Sequence, residues 1–202
     1  MPYIPDLSLS EWDTNVLDLI SDESLTRFTF DGLKRRLGVH PETLSRALSR
    51  LEEQGMLEKQ VDGYRVTSKA AKSPRLQPLG KKQENLPLLQ TLLPPDVPVK
   101  QVIKDLAGKW FGTLRWFGFA ENGESITLKW ITEDGGIQLD ADFSDGALSI
   151  EAKMLSGNNM NDALLASYQL MGYISKMYSR SGRVQHVAFF TYFGANSTMM
   201  WM

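Results

Sequence analysis

The sequence predicts an α+β fold, and three patterns in its 202 residues carry that expectation. Apolar residues recur at helical spacing from Leu9 to Leu51. From Trp110 to Met154 they alternate with polar residues, in runs parted by glycine-bearing turns, as in strands. Between these stretches, residues 72–98 hold six of the nine prolines together with Lys81 and Lys82, the composition of a linker. The expected organisation is a helical module at 1–71, a Pro/Lys-rich linker at 72–98 and an α+β domain at 99–202. In that domain an antiparallel sheet of roughly four or five strands would pack against one long helix.

Each element has a local reason. Ser8-Leu-Ser-Glu11 fits a capping box, and Leu9, Trp12, Val16, Leu19 and Ile20 continue a helix behind it. Thr29 caps a short second helix that Gly38 ends. Pro41 suits the first position of a third helix, since its missing N–H would be unpaired there anyway. Leu44, Leu48 and Leu51 turn that helix's inner face, and Gly55 stops it. Asp62-Gly63 is a two-residue hairpin signal between two β-prone runs. Within the linker the apolar Leu-Pro-Leu-Leu-Gln-Thr-Leu-Leu run is expected to dock on something. Beyond it come a helix at about Val99–Ala107 and strands near Trp110–Phe119, Ser125–Thr132, Ile137–Phe143 and Ala147–Met154. A long helix over about Asn161–Ser179 and a last strand over Val184–Phe193 complete the set, and the apolar tail from Ser197 must pack or pair.

Composition narrows the chemistry. The chain has no cysteine, which removes disulfides, thiolate metal sites and a cysteine nucleophile. Its two histidines, His40 and His186, are too few for a histidine-rich zinc site. The first residues lack the basic and apolar regions of a signal peptide, and no apolar run approaches the ~20 residues of a membrane helix. The expectation is a cytoplasmic protein with no membrane partner. The net charge of −2 is unevenly spread: residues 1–24 hold six acids and no lysine or arginine, whereas residues 25–82 hold 13 bases against six acids. A positive block inside an acidic chain suits a polyanion-binding module.

With its leucines inward, the third helix places Thr43, Arg46, Ser49 and Arg50 on the outer stripe and His40 at its leading end. A helix fits the major groove, where arginine pairs with guanine and hydroxyls serve bases or phosphates. Lys34, Arg35 and Arg36 on the second helix, Lys59 and Arg65 on the hairpin, and Lys69 beyond it are candidates for phosphate contacts. The same residues also suit a solvated face beside Glu42, Glu52 and Glu53. Residues Ser8 to Lys69, through Leu33, Leu37, Gly38, Val39, the three inward leucines and Asp62-Gly63, resemble a winged helix-turn-helix of the MarR-like and ArsR-like regulators. The resemblance implies binding of double-stranded DNA, although Asp62 at the wing tip departs from the base expected there.

A second constellation lies in Gln138–Lys153. If Asp145-Gly146 is a tight turn, Asp140 falls directly opposite Glu151, an unfavourable pair that a divalent cation would reverse. Lys153 lies on the same face. These residues resemble the core hairpin of the PD-(D/E)xK nuclease superfamily, with Asp140 as the lone acid and Glu151-Ala152-Lys153 as the acid-x-lysine. Gln169 and Tyr173 meet the Gln-x-x-x-Tyr spacing of RecB-like members. That likeness implies Mg²⁺ held by Asp140 and Glu151, Lys153 as the catalytic lysine that steadies an attacking water or the developing phosphate charge, and Gln169 and Tyr173 as accessories. No proline precedes Asp140, a strand is added at Trp110–Phe119, and the upstream helix offers only Asp105. The same alternation describes a solvated sheet face. Two functions are therefore expected to compete: a homodimeric DNA-binding transcription regulator whose C-terminal domain dimerises or meets a small molecule or protein, and a Mg²⁺-dependent DNA endonuclease.

Overall fold

The computed structural model describes residues 10–71, 85–93, 95, 97–157 and 160–180. Helix α1 (Glu11–Asp22) begins at Ser10, two residues after the expected cap. The Ser10 hydroxyl accepts from the Asp13 N–H at 3.3 Å, and the Asp13 carboxylate accepts from the Ser10 N–H at 3.0 Å. An aspartate three residues on closes the box as well as a glutamate does. Strand β1 (Arg27–Phe28) follows, then α2 (Phe30–Leu37). Thr29 caps α2 through the Gly32 N–H, and Gly38 at φ 62° ends it, as expected. Helix α3 (Pro41–Glu53) starts at Pro41 and buries Leu44, Ala47, Leu48 and Leu51. Strands β2 (Leu57–Gln60) and β3 (Gly63–Val66) form the expected hairpin, and a single turn, α4 (Ser68–Ala71), closes the module.

Next come β4 (Leu86–Leu92), α5 (Val99–Leu106), β5 (Leu114–Asn122), β6 (Ser125–Thr132), β7 (Ile137–Ser144), β8 (Ala147–Met154) and α6 (Met160–Arg180). The strands join in one antiparallel sheet of order β2-β3-β1-β5-β6-β7-β8-β4. Its eight strands exceed the expected four or five for two reasons. The hairpin enters the sheet through β1, which pairs β3 on one side and β5 on the other. The docking run of the Pro-rich stretch is β4, paired with β8 as an edge strand, where Pro87 is tolerated beside a register shift. Strand β5 starts at Leu114 rather than Trp110, because Gly112 turns at φ 52°. The expected strand Val184–Phe193, the tail from Ser197 and Ser8 lie outside the described residues.

Two glycines make the β1 junction. A Cβ on Gly118 would lie 2.2 Å from the Arg27 carbonyl oxygen, and one on Gly63 would lie 2.3 Å from that of Phe28. Only a residue without a side chain lets the strands meet there.

Alternation then sorts the sheet into two faces. Leu128, Ala141 and Ile150 lie in register on one face and pack with Leu106 of α5 and Ala163, Ala166, Leu170 and Ile174 of α6. The other face gives Phe28, Phe117 and Ile131 to the core under α1, α2 and α3, with Val16, Leu17, Leu33, Leu44, Leu48 and Leu51. Farther along this second face the register row is Lys129, Asp140 and Glu151. The helical layer thus ends where charged residues begin. No described helix is long and apolar enough to cross a membrane.

Candidate functional site

Helix α3 presents its outer stripe as the leucine spacing requires. His40, Ser49 and Arg46 are exposed and Thr43 is half-buried. The Arg46 side chain is 71% accessible and pairs with Glu42 one turn back. Arg50 departs from the expected stripe. Its guanidinium turns onto α1, where Nε and Nη2 hold Asp13 at 3.0 and 2.7 Å and Nη2 also donates to Ser10 at 2.8 Å. Asp13 is fully buried, so Arg50 is its countercharge. Burial would raise the Asp13 carboxyl, but the Arg50 and Ser10 hydrogen bonds outweigh it and lower it. His40 caps α3, its Nδ1 accepting from the Glu42 N–H at 3.4 Å.

The candidates for phosphate contacts divide in the same way. Lys34 pairs with Asp31 at 3.1 Å, Arg35 is half-buried, and Lys59 is exposed. Arg65 is exposed but ion-paired with Glu58 on the neighbouring strand. Lys69 sits on α4 and donates to the Gln54 carbonyl at the end of α3 at 2.6 Å. Arg36 turns inward instead, donating from Nε to Gln138 at 3.1 Å and meeting Glu23 at 3.4 Å. Exposed Arg27 on β1, in register with Arg65, was not singled out in the sequence, where a two-residue strand has no periodicity to show.

The inward Arg36 leads to a buried ion cluster. Glu23, the C-cap of α1, reaches the sheet face and accepts from Lys129 at 3.1 Å, Gln138 at 2.7 Å and Lys153. Asp140 accepts from Lys129 at 2.7 Å and Gln138 at 2.8 Å and pairs with Lys153 at 3.2 Å. Each lysine thus serves both carboxylates, and all four charged side chains are at least nine-tenths buried. Burial pushes the Glu23 carboxyl up, but Lys129 and Lys153 outweigh it and hold the group at about 2. Burial likewise opposes a charged Lys129, yet Asp140 and Glu23 keep its ammonium above its ordinary value. Of these residues the sequence singled out Asp140, Lys153 and Arg36. Lys129 was legible in principle, two residues before Ile131 and opposite Asp140, whereas Glu23 lies 106 residues away and leaves no local trace.

The cluster forms the back of a cleft of about 340 Å³ between the end of α1 and the bare part of the sheet. Asp140, Glu151 and Lys153 all line it, with Asp140 opposite Glu151 as the hairpin register requires. Their geometry does not fit a metal site of the nuclease kind. Asp140 already accepts from Lys129 and Gln138 and is ion-paired with Lys153, which leaves little of a carboxylate's capacity for a cation. Lys153 is held by Glu23 and Asp140 rather than aimed at open space. Glu151 turns to Asn85 at 2.7 Å. Gln169 and Tyr173 are not in the cleft: Gln169 lies against Gly112, and the Tyr173 ring packs 4.5 Å from Phe111. Among the described residues no three histidine, cysteine or acidic side chains are grouped to hold a metal ion.

No protein-family model, curated protein or solved structure matches this chain.

Proposed function

We propose that the protein is a sequence-specific DNA-binding transcription regulator, with α1 to β3 as a winged helix-turn-helix and α3 as its reading helix. The observation that carries this is the exposed edge of α3: Thr43, Arg46 and Ser49 face outward while Leu44, Leu48 and Leu51 are wholly buried. A helix so oriented can enter the major groove, and Arg46 exchanges its weak exposed pair with Glu42 for a guanine edge. Arg35, Lys34 and Lys59 supply phosphate contacts around it. Arg50 and Arg36 are assigned to the fold instead. In this reading the protein acts in the cytoplasm on double-stranded DNA as a homodimer, since a symmetric pair doubles the half-site.

The test is fluorescence anisotropy on a duplex selected from a random pool. Arg46→Ala is expected to cost roughly 1–3 kcal/mol of specific binding, while Lys59→Ala weakens all duplexes alike and flattens the salt dependence. Selection that yields no preferred duplex, or an Arg46→Ala protein that binds as tightly as the parent, removes the reading.

A Mg²⁺-dependent PD-(D/E)xK endonuclease is the second reading, favoured only by the shared cleft of Asp140, Glu151 and Lys153. Plasmid incubated with protein and Mg²⁺ decides it. Nicking that disappears in Glu151→Gln supports the nuclease, and an intact plasmid leaves the regulator alone.

A further inference from the structure

We infer that the outer face of α6 is a self-complementary surface through which two copies of this chain pair, their α6 helices antiparallel. The inference deepens the homodimer assignment above and rests on it, adding which surface does the pairing.

Helix α6 packs on the sheet through Ala163, Ala166, Leu170 and Ile174 and turns other apolar side chains outward. Leu165 is 60% exposed and Tyr168 57%, on a helix whose inner face is already filled. They belong to a stripe of exposed residues at helical spacing: Asn161, Leu165, Tyr168, Gly172 and Lys176. The loop before β5 borders this stripe. Gly112 lies against Gln169, the Phe111 ring is 4.5 Å from that of Tyr173, and Trp110 is 62% exposed. Exposed apolar side chains gathered in one place mark an interaction surface, whereas single ones need no explanation.

The stripe reads alike from both ends, which selects its occupant. Turned antiparallel about a dyad between Tyr168 and Gln169, Asn161 meets Lys176 of the second copy and Leu165 meets Gly172. Gly172 supplies a notch for that leucine, since even a Cβ there would meet nothing within 4 Å. Asp162, exposed in the first turn, comes beside Lys176, exposed near the far end, and symmetry makes the contact twice. A parallel pair would set each of these charges against its own like, which repels. Spacing, notch and charge thus agree on a second copy in one direction.

Size agrees as well. The stripe is about 23 Å long on a helix about 10–12 Å across; widened by the Trp110 loop, it offers on the order of 500–600 Å² per protomer. A symmetric pair then buries on the order of 1,000–1,200 Å², where specific interfaces begin. The face lies across the sheet from α1, α2 and α3, so pairing covers none of the outer residues of α3.

The experiment is sedimentation equilibrium of the full chain without DNA, in which the parent protein is expected to dimerise at micromolar concentration. Gly172→Glu should raise the dimer dissociation constant at least about 100-fold, because it fills the notch and places a carboxylate against Leu165. The monomer should keep its fold, since the site is open and glutamate is the better helix former; unchanged far-UV circular dichroism checks this. Lys176→Glu should weaken pairing about tenfold, and adding Asp162→Lys should restore it, which a folding defect would not do. The chain has no cysteine, so direction can be read by cross-linking. Asn161→Cys and Lys176→Cys proteins, mixed and oxidised, should form a disulfide with each other and neither with itself. Pairing as tight in Gly172→Glu as in the parent, no rescue by the charge exchange, or disulfides within a single variant overturns the inference and leaves a homodimer through another surface. A parent that stays monomeric at near-millimolar concentration removes the homodimer assignment with it. DNA reading by α3 keeps its own test in Arg46→Ala.

Discussion

Helix α3 and the sheet face around Asp140 use the same side chains to opposite ends. On α3 the ions are solvated: Arg46 is 71% accessible, and its pair with Glu42 is worth little in water. On the sheet face, Glu23, Asp140, Lys129 and Lys153 have left water and are satisfied by one another, Gln138 and Arg36. An exposed ion can be redirected to a partner at small cost, whereas a buried one cannot be separated from its neighbours without a large one. Arg50 stands between the extremes, with its shaft on the outer stripe and its fork spent on Asp13. Position on a helix wheel therefore does not decide what an arginine does; the nearest buried carboxylate does.

That contrast can be broken most forcefully at Glu23. Glu23→Ala leaves Lys129 and Lys153 buried with one carboxylate between them, and it is expected to cost about 3–5 kcal/mol in urea unfolding. A loss below about 1 kcal/mol would mean that water reaches the cluster and that burial is not the difference between the regions.

Acid titration sharpens the same point. The Glu23 carboxyl is held at about 2 in the folded chain against 4.5 for a free one, so its contribution is fully present above the free value and is lost as pH falls from 4.5 toward 2. The shift corresponds to about 3 kcal/mol. The raised Lys129 works in reverse, contributing below its ordinary 10.5 and failing as pH rises beyond it. Urea midpoints measured across pH should fall at both ends, and Glu23→Gln should flatten the acid limb.

A smaller effect is expected at Arg50. Arg50→Ala strands a buried Asp13 and should cost roughly 1–3 kcal/mol of stability, with base preference in the selected duplex retained. Smallest of all is Arg46→Ala on folding, within about 0.5 kcal/mol, because an exposed pair is all it removes. If the two arginines exchanged these outcomes, the division between reading and holding would be reversed.

Much of the fold was legible because its signals are local. The alternation in Ile137–Phe143 and Ala147–Met154 and the turn at Asp145-Gly146 place both strands and set Asp140 against Glu151, as observed. The α3 leucines likewise face inward. What escaped depends on long-range partners. Strand β1 has two residues and exists because Gly118 and Gly63 admit it. Prolines made Leu86–Leu92 look like linker, yet an edge strand needs fewer ladder hydrogen bonds and can carry Pro87. The outward arginines and the acid-x-lysine were visible as residue types, but Arg36, Arg50 and Lys153 each turn toward a carboxylate in another element. Only Asp140 among those acids was in view. The α6 pair Gln169 and Tyr173 had the right spacing and the wrong sheet face.

The two residues of β1 also bear on how this protein can be rebuilt. Because Arg27 and Phe28 bond to the hairpin on one side and to β5 on the other, the N-terminal head and the sheet share a seam rather than a tether. A chimera that swaps in a different head must therefore carry over residues 26–29 and keep Gly118 opposite them, whereas extra length at the Gly123 turn, where an added Cβ meets nothing within 4 Å, should be accepted.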